Sequence, residues 1–595
     1  MGLSFEEYQP YCEAERERGV TMKLTGIPIT KGVAIGRVMR YMPDTSGDGA
    51  EYSDPLAWTE EELNRFRQAE QAVKKELKLL VQTTEDQGQS HGDIFYAHVA
   101  MLEDQVLHAE IEDKILHRHM GASAAVREVF DHYQKVLRQT TEPLIQERAV
   151  DLADIKLRLL RFLAGRTHRG LSQLPGPVVV VANNLMPSDT ATMDRENVLA
   201  VVTQAGSQTS HSAIIARSYD IPTIVGAAGA LDLLQDGETV VVDCRSGTVL
   251  TQLDEEEMEA YRRLHRELQE KKRVVLGLRN AAPVTRDGQR IRMELNMEAL
   301  TQEVLDTREY VDGVGLFRTE FLYMNRWDLP GEEEQFQTYR RVAEAFGGKP
   351  VTLRTIDLGG DKPAPCIAMP QEDNPFLGNR ALRLCLARPE VFRTQLKAVL
   401  RAAVYGNIRL LLPMVSGVED ILYAKAALEE ARQELRAEKK EFRGQVPLGI
   451  MVEIPSVALT ADLAAGEADF ACLGTNDLCQ YLMAADRQNP TVSMYYRPLH
   501  PAVLRVIAQV TQAFHRQGKP VTCCGEMAGD PVAALALLGL GVDGLSMSAA
   551  SLPAIKQVIR SMELGETQKR LEQLKKRCLA GDIQTALQQL LDSML

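Results

Sequence analysis

Eight short apolar runs, most of them followed by a helical pattern, recur through the carboxyl-terminal half of the chain: Ile291–Leu295, Gly313–Phe317, Val351–Thr355, Arg409–Pro413, Leu448–Glu453, Phe470–Leu473, Val521–Cys524 and Gly544–Met547. PEVFRTQLKAVLRAAVYG and PAVLRVIAQVTQAFHRQG are typical of the helical segments between them. Strands that alternate with helices build parallel sheets. Eight such units in succession have the order of a (β/α)8 barrel, a fold of about 250 residues. A doubly wound open sheet is the runner-up. Both folds gather their chemistry beyond the carboxyl ends of the strands, so the strand ends are the residues that matter.

Those ends are polar. The second run leads into Arg318, Thr319 and Glu320, and the third ends at Arg354 with Asp357 close behind. The fifth ends in Glu453, the sixth leads into Gly474, Thr475, Asn476 and Asp477, and the seventh ends in Cys524, Gly525 and Glu526. Arg380, in NPFLGNRALR, and Arg487, in AADRQNP, add further guanidinium groups. These forked groups bind phosphate and carboxylate bidentately. Glu453 and Asp477 are suited to share a hard divalent cation, because Mg²⁺ takes oxygen ligands from carboxylates and from substrate phosphate. The combination fits a small, multiply anionic substrate carrying phosphate and carboxylate. Mutual pairing is the plainer reading of any single Arg–acid pair, but four arginines against two acids leave surplus positive charge for a ligand. Cys524 follows Cys523. Most strand cysteines are buried core residues, yet Cys524 stands at the open end of its strand. An ordinary thiol is mostly protonated at neutral pH and can deliver a proton.

The amino-terminal half has a different texture. From about Leu56 to Leu163 the pattern is helical, with Leu63, Phe66, Ala69, Val73 and Leu77 at three- and four-residue spacing, as in a helical bundle. VAIGRVMRY before it and GPVVVVANN, NVLAVVTQ, IPTIVG and TVVVDC after it read as strands, so the bundle interrupts one α/β domain. Within that domain the strand VLAVVTQ runs into the loop GSQTS and a helix beginning near His211. The positive end of a helix keeps an imidazole neutral, and a neutral ring nitrogen is a nucleophile toward phosphorus. An ordinary capped helix with an incidental histidine accounts equally well for the loop. DEEEMEAYRRLHRELQEKKR, residues 254–273, reads as a charged, mostly solvated helix connecting the two halves.

The chain has 595 residues, 68 Lys plus Arg and 82 Asp plus Glu, for a formal net charge of −14. Such acidity speaks against general binding to nucleic acid or anionic membranes. No apolar run reaches the ~18 residues that span a bilayer, and the opening MGLSFEEYQPYCEAERERG lacks a signal core. The nine cysteines form no CxxC pair, which reads as free thiols in a reducing cytosol. The expectation is a cytoplasmic protein with no nucleic-acid partner and no membrane insertion.

Taken together, these residues resemble the enzyme I family of the bacterial phosphoenolpyruvate:sugar phosphotransferase system. TSHSAIIARS, GVGLFRTEFLYM, RTIDLGGDK, NPFLGNRALR, GIMVEIPS, LGTNDLCQYLMAADRQN and CCGEMAGD carry the resemblance, in order, from about Gly26 to the 560s. AHVAMLEDQVL resembles the family's carrier-docking insert. The resemblance implies a phosphohistidine α/β domain with an inserted helical bundle, joined by a linker helix to a (β/α)8 barrel. The implied divisions are an extension at 1–21, the α/β domain at 22–50 and 169–252, and the carrier-binding helical subdomain at 51–168. The linker helix then covers 253–280, the phosphoenolpyruvate barrel 281–575 and a helical tail 576–595. The implied activity moves the phosphoryl group of phosphoenolpyruvate to His211 Nε2 and on to a histidine of an HPr-type carrier, releasing pyruvate. Arg318 and Arg354 are implied to bind the phosphate, Arg487 and Asn476 the carboxylate end, and Arg380 to share the site. Glu453 and Asp477 are implied to ligate Mg²⁺, and Cys524 to protonate the enol carbon. A homodimer through the barrel is implied as well.

One departure stands out. Where the family usually shows D-A-G-G-R-T-S-H, this chain has Gln204, Ala205, Gly206, Ser207, Gln208, Thr209, Ser210 and His211. The lost arginine removes a candidate phosphate contact, and the changes bear on partner choice more than on reaction class. Two other readings accompany the first. One is a pyruvate phosphate dikinase or phosphoenolpyruvate synthase relative, which needs an ATP-grasp domain that the residues before His211 do not supply. The other is a non-catalytic sensor that binds phosphoenolpyruvate without turnover.

Overall fold

The structure is a computed structural model. It describes residues 21–595 apart from 43–54, 87–91, 141–142, 166–170, 172–173, 175, 187–188, 191–192, 207–220, 325, 361, 363, 368, 370–371, 488, 490, 575 and 577–578. The chain forms two compact units, residues 1–272 and 273–595.

The first unit holds an eight-stranded mixed sheet: β1 (Met22–Thr25), β2 (Ile27–Pro28), β3 (Val33–Tyr41), β4 (Val178–Ala182), β5 (Val198–Thr203), β6 (Thr223–Val225), β7 (Thr239–Asp243) and β8 (Thr248–Thr251), in the order β1-β8-β7-β3-β4-β5-β6-β2. β3, β4, β5 and β6 run parallel, and β7 joins β3 antiparallel. β4 reads VVVVA and is buried at every position, as expected for a central strand covered on both faces. Between β3 and β4 lie the helices Pro55–Asp86, Gly92–Leu102, Gln105–Arg118, Ala122–Arg138 and Pro143–Leu163. Phe66, Val73, Leu77, Ile111, Ile115, Phe130, Ile155 and Leu159 form their common core. The helix Glu255–Gly277 follows β8. Its few apolar residues are not idle. Met258, Tyr261, Leu264 and Leu268 pack against Val33, Val241 and Leu250 of the sheet, and His265 Nδ1 lies 2.8 Å from the Val33 carbonyl oxygen. The boundary between the two units therefore falls inside the helix rather than at its start.

The second unit is a closed parallel barrel of β9 (Arg292–Met297), β10 (Gly313–Phe317), β11 (Val351–Arg354), β12 (Ile408–Leu412), β13 (Leu448–Val452), β14 (Phe470–Leu473), β15 (Val521–Cys523) and β16 (Gly544–Met547). β16 pairs with β9 from Gly544↔Arg292 to Met547↔Leu295, closing the ring. That closure excludes the open sheet. All eight expected strands exist. Where limits differ they differ by one or two residues, because the ladder stops as side chains turn into the rim. Glu453 and Cys524 lie just past their strands for this reason.

Alternation along the strands fills the barrel in layers. Leu316, Leu411, Met451, Phe470, Cys472 and Cys524 form one buried interior cluster. Below them Arg409 Nη2 meets Glu294 Oε1 at 2.9 Å, with its guanidinium 5.4 Å from the Phe470 ring centroid. Gly449 makes room for that ring: a Cβ there would stand 2.3 Å from two Phe470 atoms. The side chains on the outer face of the strands pack against the surrounding helices in a separate, larger core. Beyond the barrel, the helices Leu564–Leu574 and Ala580–Met594 cover the helix Pro531–Gly539 through Leu571, Ile583 and Leu587.

Candidate active site

A cavity of about 240 Å³ opens at the carboxyl rim of the barrel. Arg318, Arg354, Arg380, Glu453, Asn476, Asp477, Arg487 and Cys524 all line it. The barrel therefore brings together every site residue expected from its half of the sequence. His211, with Ser207 and Gln208, lies outside the described residues. Gln204 is described, and its Oε1 accepts a hydrogen bond of 2.6 Å from the Leu231 backbone N–H. The residue standing where the family has an acid thus ties its loop to the short helix Ala230–Leu233.

The arginines are held very differently. Arg354 is buried, donates to Glu320 Oε1, and lies 3.1 Å from Asp357 Oδ2 through Nη1. Burial opposes its charge, but the Glu320 and Asp357 carboxylates outweigh that and hold the guanidinium above its ordinary value. Arg380 is equally buried and grips Asp357 with contacts of 3.0 and 3.2 Å from Nη2. Its Nη1 reaches the Tyr481 hydroxyl at 3.3 Å, and Asp477 Oδ2 lies 3.7 Å away. Arg318 is exposed and donates to Glu298 Oε1 at 2.6 Å. Arg487 is half-buried, 4.0 Å from Asp477 Oδ1.

Lys362 is a residue the sequence reading missed. Its Nζ donates to Glu320 Oε1 at 2.9 Å and to Asp357 Oδ2 at 3.1 Å, and it lines the same cavity. It sits in the RTIDLGGDK segment, and its neighbours Gly359 and Gly360 have φ of +100° and +67°. Those left-handed residues fold the loop after β11 back over the rim. A Cβ on Gly359 would lie 2.7 Å from Arg380 Cβ, so the turn also seats that arginine. The pair of glycines just ahead of a lysine is the signal that could have found it.

The expected surplus of positive charge is corrected by the structure. Glu298, Glu320 and Asp357 join Glu453 and Asp477, so each rim cation has a carboxylate nearby. Each of these cations is positioned by a carboxylate rather than left uncompensated. With Arg354, Lys362 and Arg380 around it, Asp357 stays well below the usual carboxylate range despite its burial.

The other acids are not matched in this way. Glu453 is buried and is pushed up to about 8 by that burial and by the Asp477 and Asp357 charges. Its Oε1 accepts a 2.6 Å hydrogen bond from the Met414 backbone N–H. Asp477 Oδ1 is buried with no hydrogen-bond partner. Two crowded carboxylates, one with an orphaned oxygen, fit a divalent cation between them. Among the described residues no group of three or more His, Cys, Asp or Glu side chains forms a complete ligand cage. A two-carboxylate site leaves positions for further oxygen ligands, as a hard divalent cation requires.

Asn476 is fixed by reciprocal bonds to Glu526: its Nδ2 donates to Oε1 at 3.1 Å and its Oδ1 accepts from the backbone N–H at 2.9 Å. Cys524 is 5% exposed, and its Sγ contacts the Leu473 carbonyl oxygen at 3.7 Å. Asn296 Nδ2 holds the Cys524 carbonyl at 2.9 Å while Asn296 Oδ1 accepts from Ser546 at 2.7 Å. This bridge from β9 and β16 fixes the peptide that carries the thiol.

Comparison with known proteins agrees with this geometry. Three family models match in sequence order: "PEP-utilising enzyme, N-terminal" over residues 25–148, "PEP-utilising enzyme, mobile domain" over 174–247, and "PEP-utilising enzyme, PEP-binding domain" over 272–564. The phosphoenolpyruvate-protein phosphotransferase of Staphylococcus carnosus is 41% identical over 91% of this chain and 95% of its own length. That of Priestia megaterium is 40% identical over 93% and 96%, and that of Bacillus subtilis 41% identical over 90% and 94%. With this identity sustained across nine-tenths of both sequences, the chain belongs to the family of phosphoenolpyruvate-protein phosphotransferases.

Proposed function

We propose that this chain transfers the phosphoryl group of phosphoenolpyruvate to His211 Nε2 and then to a histidine of an HPr-type carrier, releasing pyruvate. The observation that carries the barrel half of this reading is the convergence of fixed guanidinium groups, paired carboxylates and one thiol on a single cavity. Arg354 is clamped by Glu320 and Asp357, so it meets the phosphate without reorganising. Arg318 is the adjustable partner. Its exposed pair with Glu298 is worth about 0–1 kcal/mol, little enough for a phosphate to displace. Arg487 and Asn476 take the carboxylate end, and Arg380 stiffens the wall between the two groups through Asp357 and Tyr481. As the bond from phosphorus to the enol oxygen breaks and the bond to nitrogen forms, the electron pair passes into the enolate. Cys524 then gives its proton to the enol carbon, and pyruvate leaves.

Glu453 and Asp477 would hold Mg²⁺, which neutralises charge on the phosphate and enolate oxygens when bound. Asp477→Asn is expected to shift the Mg²⁺ dependence of labelling at least about ten-fold upward, read from labelling against metal concentration. An unchanged midpoint removes Asp477 from the ligand set.

The helical bundle is the docking surface for the carrier in this proposal, and the reading goes with a cytosolic protein. Two copies pair through their barrels. Leu422, Leu459 and Leu463 support this: they are exposed on the neighbouring helices Val418–Ala437, Pro455–Leu459 and Ala461–Glu467. Sedimentation at rising protein concentration is expected to show a two-chain species, and a single chain throughout overturns the pairing.

The central test uses phosphoenolpyruvate labelled in its phosphoryl group. With Mg²⁺, the wild-type chain is expected to take up an acid-labile label and pass it to a carrier protein. His211→Ala takes up none. Equal labelling of the two would falsify the assignment of His211.

A further inference from the structure

Cys524 has a second cysteine behind it that the transfer reaction does not use. Cys472 on β14 and Cys524 just past β15 belong to the same buried interior cluster. The strands are adjacent and parallel, with Cys472 opposite Thr522, so Cys524 is the next inward-facing position along the neighbouring strand. The Cys524 thiol leans toward β14, contacting the Leu473 carbonyl oxygen at 3.7 Å. The neighbouring Cys524 thiol and complete burial hold the Cys472 thiol well above its ordinary range. Cys523 is placed otherwise. It faces out of the barrel, where its sulfur meets Thr475 Oγ1 at 3.9 Å.

Access divides the pair. Cys524 lines the cavity and Cys472 does not. Arg354 lines the same cavity as Cys524, and a guanidinium there would offset negative charge on the oxygen that departs from the peroxide. A small oxidant that enters the cavity thus meets Cys524 first, with a resolving thiol already beside it.

We propose that Cys524 and Cys472 form a reversible peroxide-sensitive pair, in which a small hydroperoxide oxidises Cys524 and Cys472 resolves the product to a disulfide. The Cys524 sulfur attacks the terminal peroxide oxygen. The O–O bond breaks, the thiol proton leaves with the departing oxygen, and Cys524 becomes a sulfenic acid. The Cys472 sulfur then attacks the Cys524 sulfur, the S–O bond breaks and water departs. Two thiols lose two electrons and one hydrogen peroxide becomes two waters. A dithiol reverses the change. The disulfide removes the proton that Cys524 supplies to the enol carbon, so transfer stops while it persists. The loss of activity rests on the proton-donor role proposed above, whereas the linkage itself does not.

The experiment treats the full-length protein with hydrogen peroxide, alkylates free thiols and maps the peptides by mass spectrometry. A Cys472–Cys524 linked peptide is expected, with phosphoenolpyruvate-dependent labelling falling by about ten-fold or more and returning with dithiothreitol. Cys472→Ala, or the closer Cys472→Ser, is expected to label normally before treatment. After peroxide its Cys524 is expected to reach the sulfinic acid, and dithiothreitol then restores nothing. A linked peptide without loss of labelling supports the pair and overturns the proton-donor role instead. Absence of the linked peptide, a Cys523–Cys524 link in its place, or full dithiothreitol recovery of the Cys472 variants overturns the proposal.

Discussion

Arg354→Ala is expected to lower kcat/KM for phosphoenolpyruvate by about 10²–10³-fold, the usual effect of removing one preorganised donor from developing charge. Two consequences of the geometry make this the largest effect of any barrel arginine. Arg354 needs no rearrangement to receive a phosphate, since Glu320 and Asp357 already fix both sides of its fork. Its loss also leaves those buried acids short of a partner. Breaking a buried pair costs about 3–5 kcal/mol, and Lys362, which contacts both acids, keeps the loss near the lower figure. Arg354→Lys separates the effects: it keeps the charge but not the fork, so it should recover stability more fully than turnover. Steady-state labelling and denaturant unfolding read the two quantities independently. A variant labelling within about three-fold of wild type, against the decades expected of an oxyanion-type donor, would remove Arg354 from the phosphate site.

Cys524→Ala is expected to reduce the rate of pyruvate formation by about 10²–10⁴-fold, the range for loss of a positioned general acid, with little change in KM. The thiol sits among Leu316, Leu411, Met451, Phe470 and Cys472. That apolar floor leaves little room for water to replace the missing proton. The change in volume is small, and stability should fall by only about 1 kcal/mol. The split between kcat and KM is the decisive readout. A raised KM with unchanged kcat would make Cys524 a wall of the pocket and not its acid.

Much of this site could be read from the chain because the barrel repeats one rule. Each strand delivers its last side chains to the same rim, so Arg354, Glu453, Asn476, Asp477 and Cys524 could be placed together from the ends of four runs. Lys362 escaped that rule because it lies in a loop without periodicity. Only the left-handed turn at Gly359 and Gly360 returns it to the rim. The charge balance escaped for a related reason. Sequence order shows which groups approach the rim but not which of them touch, and Glu298, Glu320 and Asp357 proved to be partners of the very cations that appeared to be in excess. The helix Glu255–Gly277 reads as mostly solvated by composition, yet four of its apolar side chains, Met258, Tyr261, Leu264 and Leu268, share one face and pack on the sheet.

Local pattern therefore determined the alternation of strand and helix, the closed parallel architecture it favours, and the chemical types gathered at one end, since backbone geometry and hydrophobic period act over a few residues. Tertiary structure alone decided which arginines are buried between carboxylates and which are exposed, where two carboxylates crowd together, and that a second thiol stands behind the first. Those depend on burial and on distances between residues far apart in the chain, such as Arg354 and Glu320 or Asn296 and Cys524, and Coulomb and desolvation energies follow such distances rather than sequence separation.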